Sequence, residues 1–251
     1  LHLRMNQILL GSMASLIAGL ATGLGAAMIF IFRRVSDAFL DAALGFAAGV
    51  MLAATSFSLL MPALRLGDIW QTVAGMAAGT LFLICAERFV PHLHEVAGVK
   101  GPYTSLSRLW LFIFAITIHN FPEGMAVGVA FGGGDAKAGA QLATGIGLQN
   151  IPEGLAVALA LLREKSTRLK AFTIALCTGL VEPIGGFLSI SIVSLGIFLL
   201  PYSLAFAAGA MLFVICEEII PETHSRGNDR KATIGIIAGF MVMMILDTAF
   251  G

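Results

Sequence analysis

The chain has 251 residues, of which 58% are hydrophobic and only 12% charged, with a mean hydropathy of +0.92. A water-soluble domain of this size would need far more charge, so the composition excludes one and points to a polytopic membrane protein. Its 15 basic and 15 acidic residues cancel, so net charge singles out no partner beyond the lipid bilayer, and no nucleic acid is expected.

Eight apolar segments follow in chain order, at about 7–32, 38–61, 69–90, 108–131, 138–162, 170–195, 203–221 and 232–250. Each is close to the roughly 20 residues that cross the hydrocarbon core as a helix. The first is long enough to span by itself, so it is read as a span and not as a cleavable signal peptide. Small residues four apart, Gly19/Gly23 and Gly75/Gly79, predict close helix packing. Cys85, Cys177 and Cys216 lie far apart in apolar runs without a Cys-x-x-Cys pair, which predicts buried, reduced thiols.

Charge sets an expected orientation. The loops after spans 1, 3, 5 and 7, with their span ends, hold Arg33 and Arg34; Arg88, Lys100 and Arg108; Arg163, Lys165, Arg168 and Lys170; and Arg226, Arg230 and Lys231. Only Arg4, Arg65 and Lys137 remain for the other side. Basic loops stay in the cytoplasm, so both termini are expected outside, which an even number of spans allows.

Spans 4 and 5 carry the polar groups. The first reads His119-Asn120-Phe121-Pro122-Glu123-Gly124 and the second Gln149-Asn150-Ile151-Pro152-Glu153-Gly154. Each places a ligand-type side chain four residues before a glutamate, on one helix face. Proline has no N–H, so the carbonyls of Ile118 and Leu148 lose their helical partners. Freed carbonyls at membrane depth are tolerated where they face a polar cavity or an ion. A third acid–proline pair, Glu182-Pro183, falls in span 6.

A charged residue inside a span costs about 2.5–3.5 kcal/mol on insertion scales. Three carboxylates, Glu123, Glu153 and Glu182, are economically explained by a shared divalent cation; a hydrogen-bonded network with Asn and Gln is the alternative. Carboxylate and amide oxygens with one imidazole suit Zn²⁺, Cd²⁺, Mn²⁺ or Fe²⁺, and not Cu⁺, which wants thiolates.

The PEG motif is one internal repeat. A second pairs Phe46-Ala47-Ala48-Gly49-Val50-Met51-Leu52 in span 2 with Phe206-Ala207-Ala208-Gly209-Ala210-Met211-Leu212 in span 7. Both pairs join spans of opposite direction, which predicts an all-α inverted-repeat arrangement of three, two and three helices. Inverted repeats meeting at polar, interrupted helices are a transporter pattern. Two loop features stay open. His92 and His94, with Glu95 and with His224 after span 7, either catch metal leaving a cavity or are solvated. Glu217, Glu218 and Glu222 either line an exit route or are interfacial charges at a span end.

On these residues the chain resembles the ZIP (Zrt-/Irt-like protein) divalent metal-ion transporters, and their bacterial GufA-like branch most. The resemblance runs through all eight spans and is strongest over His119–Gly124, Gln149–Gly154, Val181–Gly186 and Glu217–His224. It implies one transmembrane domain over residues 1–251 in a plasma or inner membrane, a homodimer, and an elevator-like motion. Spans 1, 4, 5 and 6 would move against 2, 3, 7 and 8. By motif, one metal site would use Met51, His119, Glu123, Gln149 and Glu153. A neighbouring site would use Asn120, Glu123, Asn150, Glu153 and Glu182; some relatives have aspartate where this chain has Asn150. Metal is then cargo, with no catalytic cofactor. The rival, an intramembrane metalloenzyme, would need several histidines around an open metal position, and this chain has one intramembrane histidine and no His-Glu-x-x-His.

Overall fold

Helix ends are set by polar side chains just outside the apolar runs. Ser36, Asp68, Asp135 and Thr167 each accept a hydrogen bond from the first turn of the helix that follows. Asp68 and Gln71 complete a reciprocal capping box. These caps satisfy N–H groups that hydropathy does not see, so several spans begin a residue or two before the predicted start.

The computed structural model describes residues 2–32, 35–94, 98–104 and 108–250. Arg33, Arg34 and Glu95 lie outside the described residues, as do the side chains of Arg4, His94 and Arg108. Among the described residues, eight helices are long and apolar enough to cross a bilayer: α1 (His2–Ile31), α2 (Asp37–Leu66), α3 (Ile69–Phe89), α4 (Arg108–Gly132), α5 (Ala136–Arg163), α6 (Arg168–Leu195), α7 (Ile197–Thr223) and α8 (Asp229–Phe250). The chain is an all-α, multi-pass membrane protein. Helix α7 starts well before the expected 203, with a 3₁₀ turn at Ile197–Leu199 and then an α-helix from Leu200 that carries Pro201 in its first turn, where a missing N–H costs nothing.

The expected interruptions at Pro122 and Pro152 are not breaks. Helices α4 and α5 run through both prolines. The break falls in α6, at Leu180–Val181. There a glycine ends one segment and a proline opens the next, Gly179 before and Pro183 after, which is a stop signal followed by a start signal.

Helices α2 and α7 share another irregularity. Each widens into a π turn, at Ala54–Leu60 and Ile215–Ile219, just ahead of Pro62 and Pro221. Proline cannot donate, and its ring collides with the carbonyl four residues back. The preceding N–H groups shift to partners five back, Met61 to Ser56 and Ile220 to Ile215.

Helix α1 packs on α4, α5 and α6, and α4 packs on α6; separately, α2 packs on α8 and α3 on α7. The two groups meet where α2 and α8 touch α5 and where α7 touches α4. Glycines set the closest approaches. A Cβ at Gly79 would strike the Phe206 carbonyl, and one at Gly19 the Gly179 carbonyl, so the predicted small-residue pairs do lie at helix crossings. Cys85, Cys177 and Cys216 are free, as expected, but exposed and not buried. The outside of a membrane bundle faces hydrocarbon, so a thiol gains nothing by pointing inward.

Candidate functional site

The PEG glycines bring the site together. At Gly124 the α4 backbone rests on the backbone of Glu182 at the α6 break, and at Gly154 the α5 backbone rests on Thr22 of α1. These contacts bury Glu123 and Glu182 completely and leave Gln149 and Asn150 at most 1% exposed. Glu182 opens the second segment of α6, where the free N–H groups of a helix start favour negative charge.

The charges of Glu123, Glu153 and Glu182 lie within electrostatic reach of one another. Asn150 Nδ2 donates to Glu182 Oε1 at 2.7 Å and to the Ala18 carbonyl at 2.8 Å. Gln149 stands beside Glu123. Yet both oxygens of Glu123, both polar atoms of Gln149, Asn150 Oδ1, Glu153 Oε1 and Glu182 Oε2 find no hydrogen-bond partner among the described residues. Asn120 is buried too, with Nδ2 unpartnered in the same sense. Buried polar groups are normally paired, and a dry carboxylate is costly, so the open oxygens of Glu123, Gln149, Asn150, Glu153 and Glu182 in one place suit a cation, whereas the Gln149 and Asn120 amide nitrogens are donors and add nothing to that. Among the described residues no three His, Cys, Asp or Glu side chains already converge as a metal cage. The oxygens are near, not closed.

Met51 is fully buried in an apolar cluster with Val127 and Ile146, one helical turn from Glu123 and from Asn150. Its surroundings there are hydrocarbon. His119 is held by a residue whose role the sequence left open: its Nε2 lies 2.5 Å from Glu218 Oε1, on the α7 π turn. The signal for Glu218 was an acid upstream of a proline in an apolar span, as at Glu182. A cavity of about 200 Å³ runs from His119, Asn120 and Glu153 to Glu222, Arg226 and Arg163, at the end of the bundle that bears the basic loops. Asp41, which no motif or spacing singled out, is fully buried at that end. It accepts from Arg226 Nη1 at 2.6 Å and Asn228 Nδ2 at 2.8 Å, tying the start of α2 to the α7–α8 loop.

The loop between α3 and α4 is a hairpin, β1 (His92–His94) against β2 (Gly98–Lys100). His92 is buried, not solvated, and its Nδ1–H donates to the Val90 carbonyl at 2.7 Å. Burial holds this imidazole below the usual histidine range, against the carbonyl bond that favours its charged form. Lys100 Nζ donates to Glu217 Oε1 at 2.5 Å and lies 3.8 Å from Glu87 Oε2. Burial pulls the lysine down, but the Glu217 hydrogen bond and the nearby carboxylates outweigh it, so it is held above the usual range. Glu217 therefore serves the hairpin and Glu218 the site. His224 caps its own helix end, with Nδ1 at 2.9 Å from the Ile220 carbonyl.

Residues 101–247 match the family model described as ZIP Zinc transporter. The chain is 44% identical to Zinc transporter ZIPB of Bordetella bronchiseptica, over 92% of this chain and 78% of that protein. It is 42% identical to Zinc transporter GufA of Myxococcus xanthus, over 96% and 99%. With human Zinc transporter ZIP11 it shares 33% over 92% and 94%. Eight spans, acids buried between them and likeness along almost the whole length agree: the chain belongs to the ZIP family, whose members are membrane transporters and not enzymes.

Proposed function

We propose that this protein imports divalent transition metal into the cytoplasm, Zn²⁺ first and Cd²⁺, Fe²⁺ and Mn²⁺ as further cargo, through the site between α4, α5 and α6. The observation that carries the reading is the set of unpartnered, buried carboxylate and amide oxygens around Glu123. The ion is held by His119, Glu123, Gln149 and Glu153, with Met51 flanking, and on the other side by Asn120, Asn150 and Glu182. The grouping of α1, α4, α5 and α6 against the remaining helices supports an elevator-like motion of the first group. The two PEG helices and the paired π turns support a three-two-three inverted repeat. Basic loops at the cavity end support an inward release with both termini outside, in a plasma or inner membrane, and we extend the reading to a homodimer. Counterflow in liposomes tests it: the purified chain should exchange labelled zinc across the membrane, and no exchange by folded protein would end the proposal.

Protons compete with the cation for the same carboxylates and imidazole, so binding releases protons. Zinc affinity measured from about pH 8 to about pH 5.5, around the range in which histidine titrates, should fall steadily. A flat profile would count against this ligand set.

Asn150 decides how many ions fit. Three carboxylates offer minus three against plus four for two ions, and burying the excess is expensive. The structure adds a reason for a single tight ion, because the Asn150 amide already occupies Glu182 Oε1. Asn150→Asp loses both donated bonds and sets a carboxylate against Glu182 and the Ala18 carbonyl. Metal-free stability should drop by about 1–3 kcal/mol, zinc should restore more of it than in the unmodified protein, and turnover should slow. Zinc-edge anomalous scattering from soaked crystals checks the occupancy: two equally strong peaks in the unmodified protein would overturn the charge argument.

A further inference from the structure

Three polar side chains meet at the end of the bundle away from the cavity. Near the end of α8, Asp247 Oδ1 accepts from Gln141 Nε2, in the second turn of α5, at 2.6 Å. The same oxygen accepts from Ser58 Oγ, in the π turn of α2, at 3.0 Å. The setting is partly buried: Gln141 is buried, while Asp247 and Ser58 are half-buried. Leu59 and Leu142, the chain neighbours of Ser58 and Gln141, are fully buried. Met243, one turn before Asp247, lies against Gly145, one turn after Gln141. A carboxylate with two donors in such surroundings makes strong bonds.

These bonds join helices of different groups. Gln141 belongs to α5, which packs with α1, while Asp247 and Ser58 belong to the α2–α8 pair. At the basic-loop end the same two groups part around the cavity that reaches His119 and Glu153. One end is bonded shut while the other stands open.

We infer that Gln141, Asp247 and Ser58 form a latch that closes the end opposite the basic loops and so biases the chain towards the conformation with its site open to the cavity. The inference rests on the alternating-access reading above and deepens it. For α5 to move against α2 and α8, Gln141 must leave Asp247. Removing the amide therefore favours the opposite conformation by the free energy of one charge-assisted hydrogen bond, roughly a tenfold change in population.

The test reads conformation directly. Ala160 lines the cavity, so Ala160→Cys, in a full-length chain with Cys85, Cys177 and Cys216 replaced by alanine, reports its opening by the rate of reaction with a polar maleimide. Gln141→Leu should slow labelling by at most roughly tenfold, since the open fraction falls less than the open-to-closed ratio does, and Gln141→Glu, which sets like charges together, should slow it more. Ser58→Ala, the mildest change, should slow it least and gives a readout if the others fold poorly. Unchanged labelling in folded Gln141→Leu and Gln141→Glu overturns the latch. So does faster labelling, because a mere structural staple loosens the bundle when cut and exposes the cavity. Zinc uptake by the unmodified chain is measured alongside. If it carries no zinc the transport reading fails, whereas uptake without any labelling response defeats the latch alone.

Discussion

Zinc uptake by Glu123→Ala should fall by about 100-fold or more, the upper end of what outer-shell partners of a metal site typically contribute. Both Glu123 oxygens are buried without a well-formed hydrogen bond, with Gln149 beside them, and the charge faces Glu153 and Glu182. In the absence of metal that arrangement is a liability, since like charges in a dry pocket repel and a buried carboxylate loses its hydration. Removing the charge without changing the volume should therefore cost the fold nothing. Glu123→Gln is expected to melt in detergent at or above the temperature of the unmodified metal-free protein while losing uptake and zinc-induced stabilisation. His119→Ala and Glu153→Ala should lose uptake as well. If all three alanine variants stay folded and keep near-normal uptake, the site is misplaced. If Glu123→Gln unfolds instead, Glu123 holds the helices together and the case for a bound cation loses its main support.

The second large effect belongs to the glycines that follow those glutamates. A Cβ at Gly124 would lie 2.5 Å from the Glu182 Cα, and one at Gly154 would lie 2.7 Å from the Thr22 carbonyl carbon. In each case the atom struck is backbone, which cannot rotate away as a side chain can. Overpacking a tight contact costs about 1–3 kcal/mol, occasionally more. Gly124→Ala and Gly154→Ala are expected at the upper end, with melting lowered by several degrees and uptake largely lost, because the first shift moves Glu123 away from Glu182 and the second moves Glu153 with the α5 backbone away from α1. Gly147, on the same helix as Gly154, provides the comparison, since a Cβ there would lie 3.8 Å from its nearest neighbour, the Ala18 Cα. Gly147→Ala should melt and transport like the unmodified protein. Equal tolerance at all three positions would show that the crossings are looser than these distances require.

The membrane spans were legible in the sequence because hydrocarbon leaves an exposed backbone so few choices. A segment must be helical, about 20 residues long and almost free of charge, and that is a local property. The same-face pairs His119 with Glu123 and Gln149 with Glu153 were legible for the same reason, as four-residue spacing is fixed within one helix. Long-range contacts were not. That Glu218 bonds His119, that the Asn150 amide turns to Ala18 and Glu182, and that Gln141 meets Asp247 depend on which helices cross and at what height. The break in α6, with α4 and α5 unbroken, likewise reflects stop and start signals acting together, where a lone proline removes only one bond from a helix held by its neighbours. Hydropathy and spacing by themselves determined how many helices cross and which face of each is polar. The glycine-to-backbone contacts, which bring residues distant in the chain within hydrogen-bond range, decided which polar groups are paired and which are left open to receive an ion.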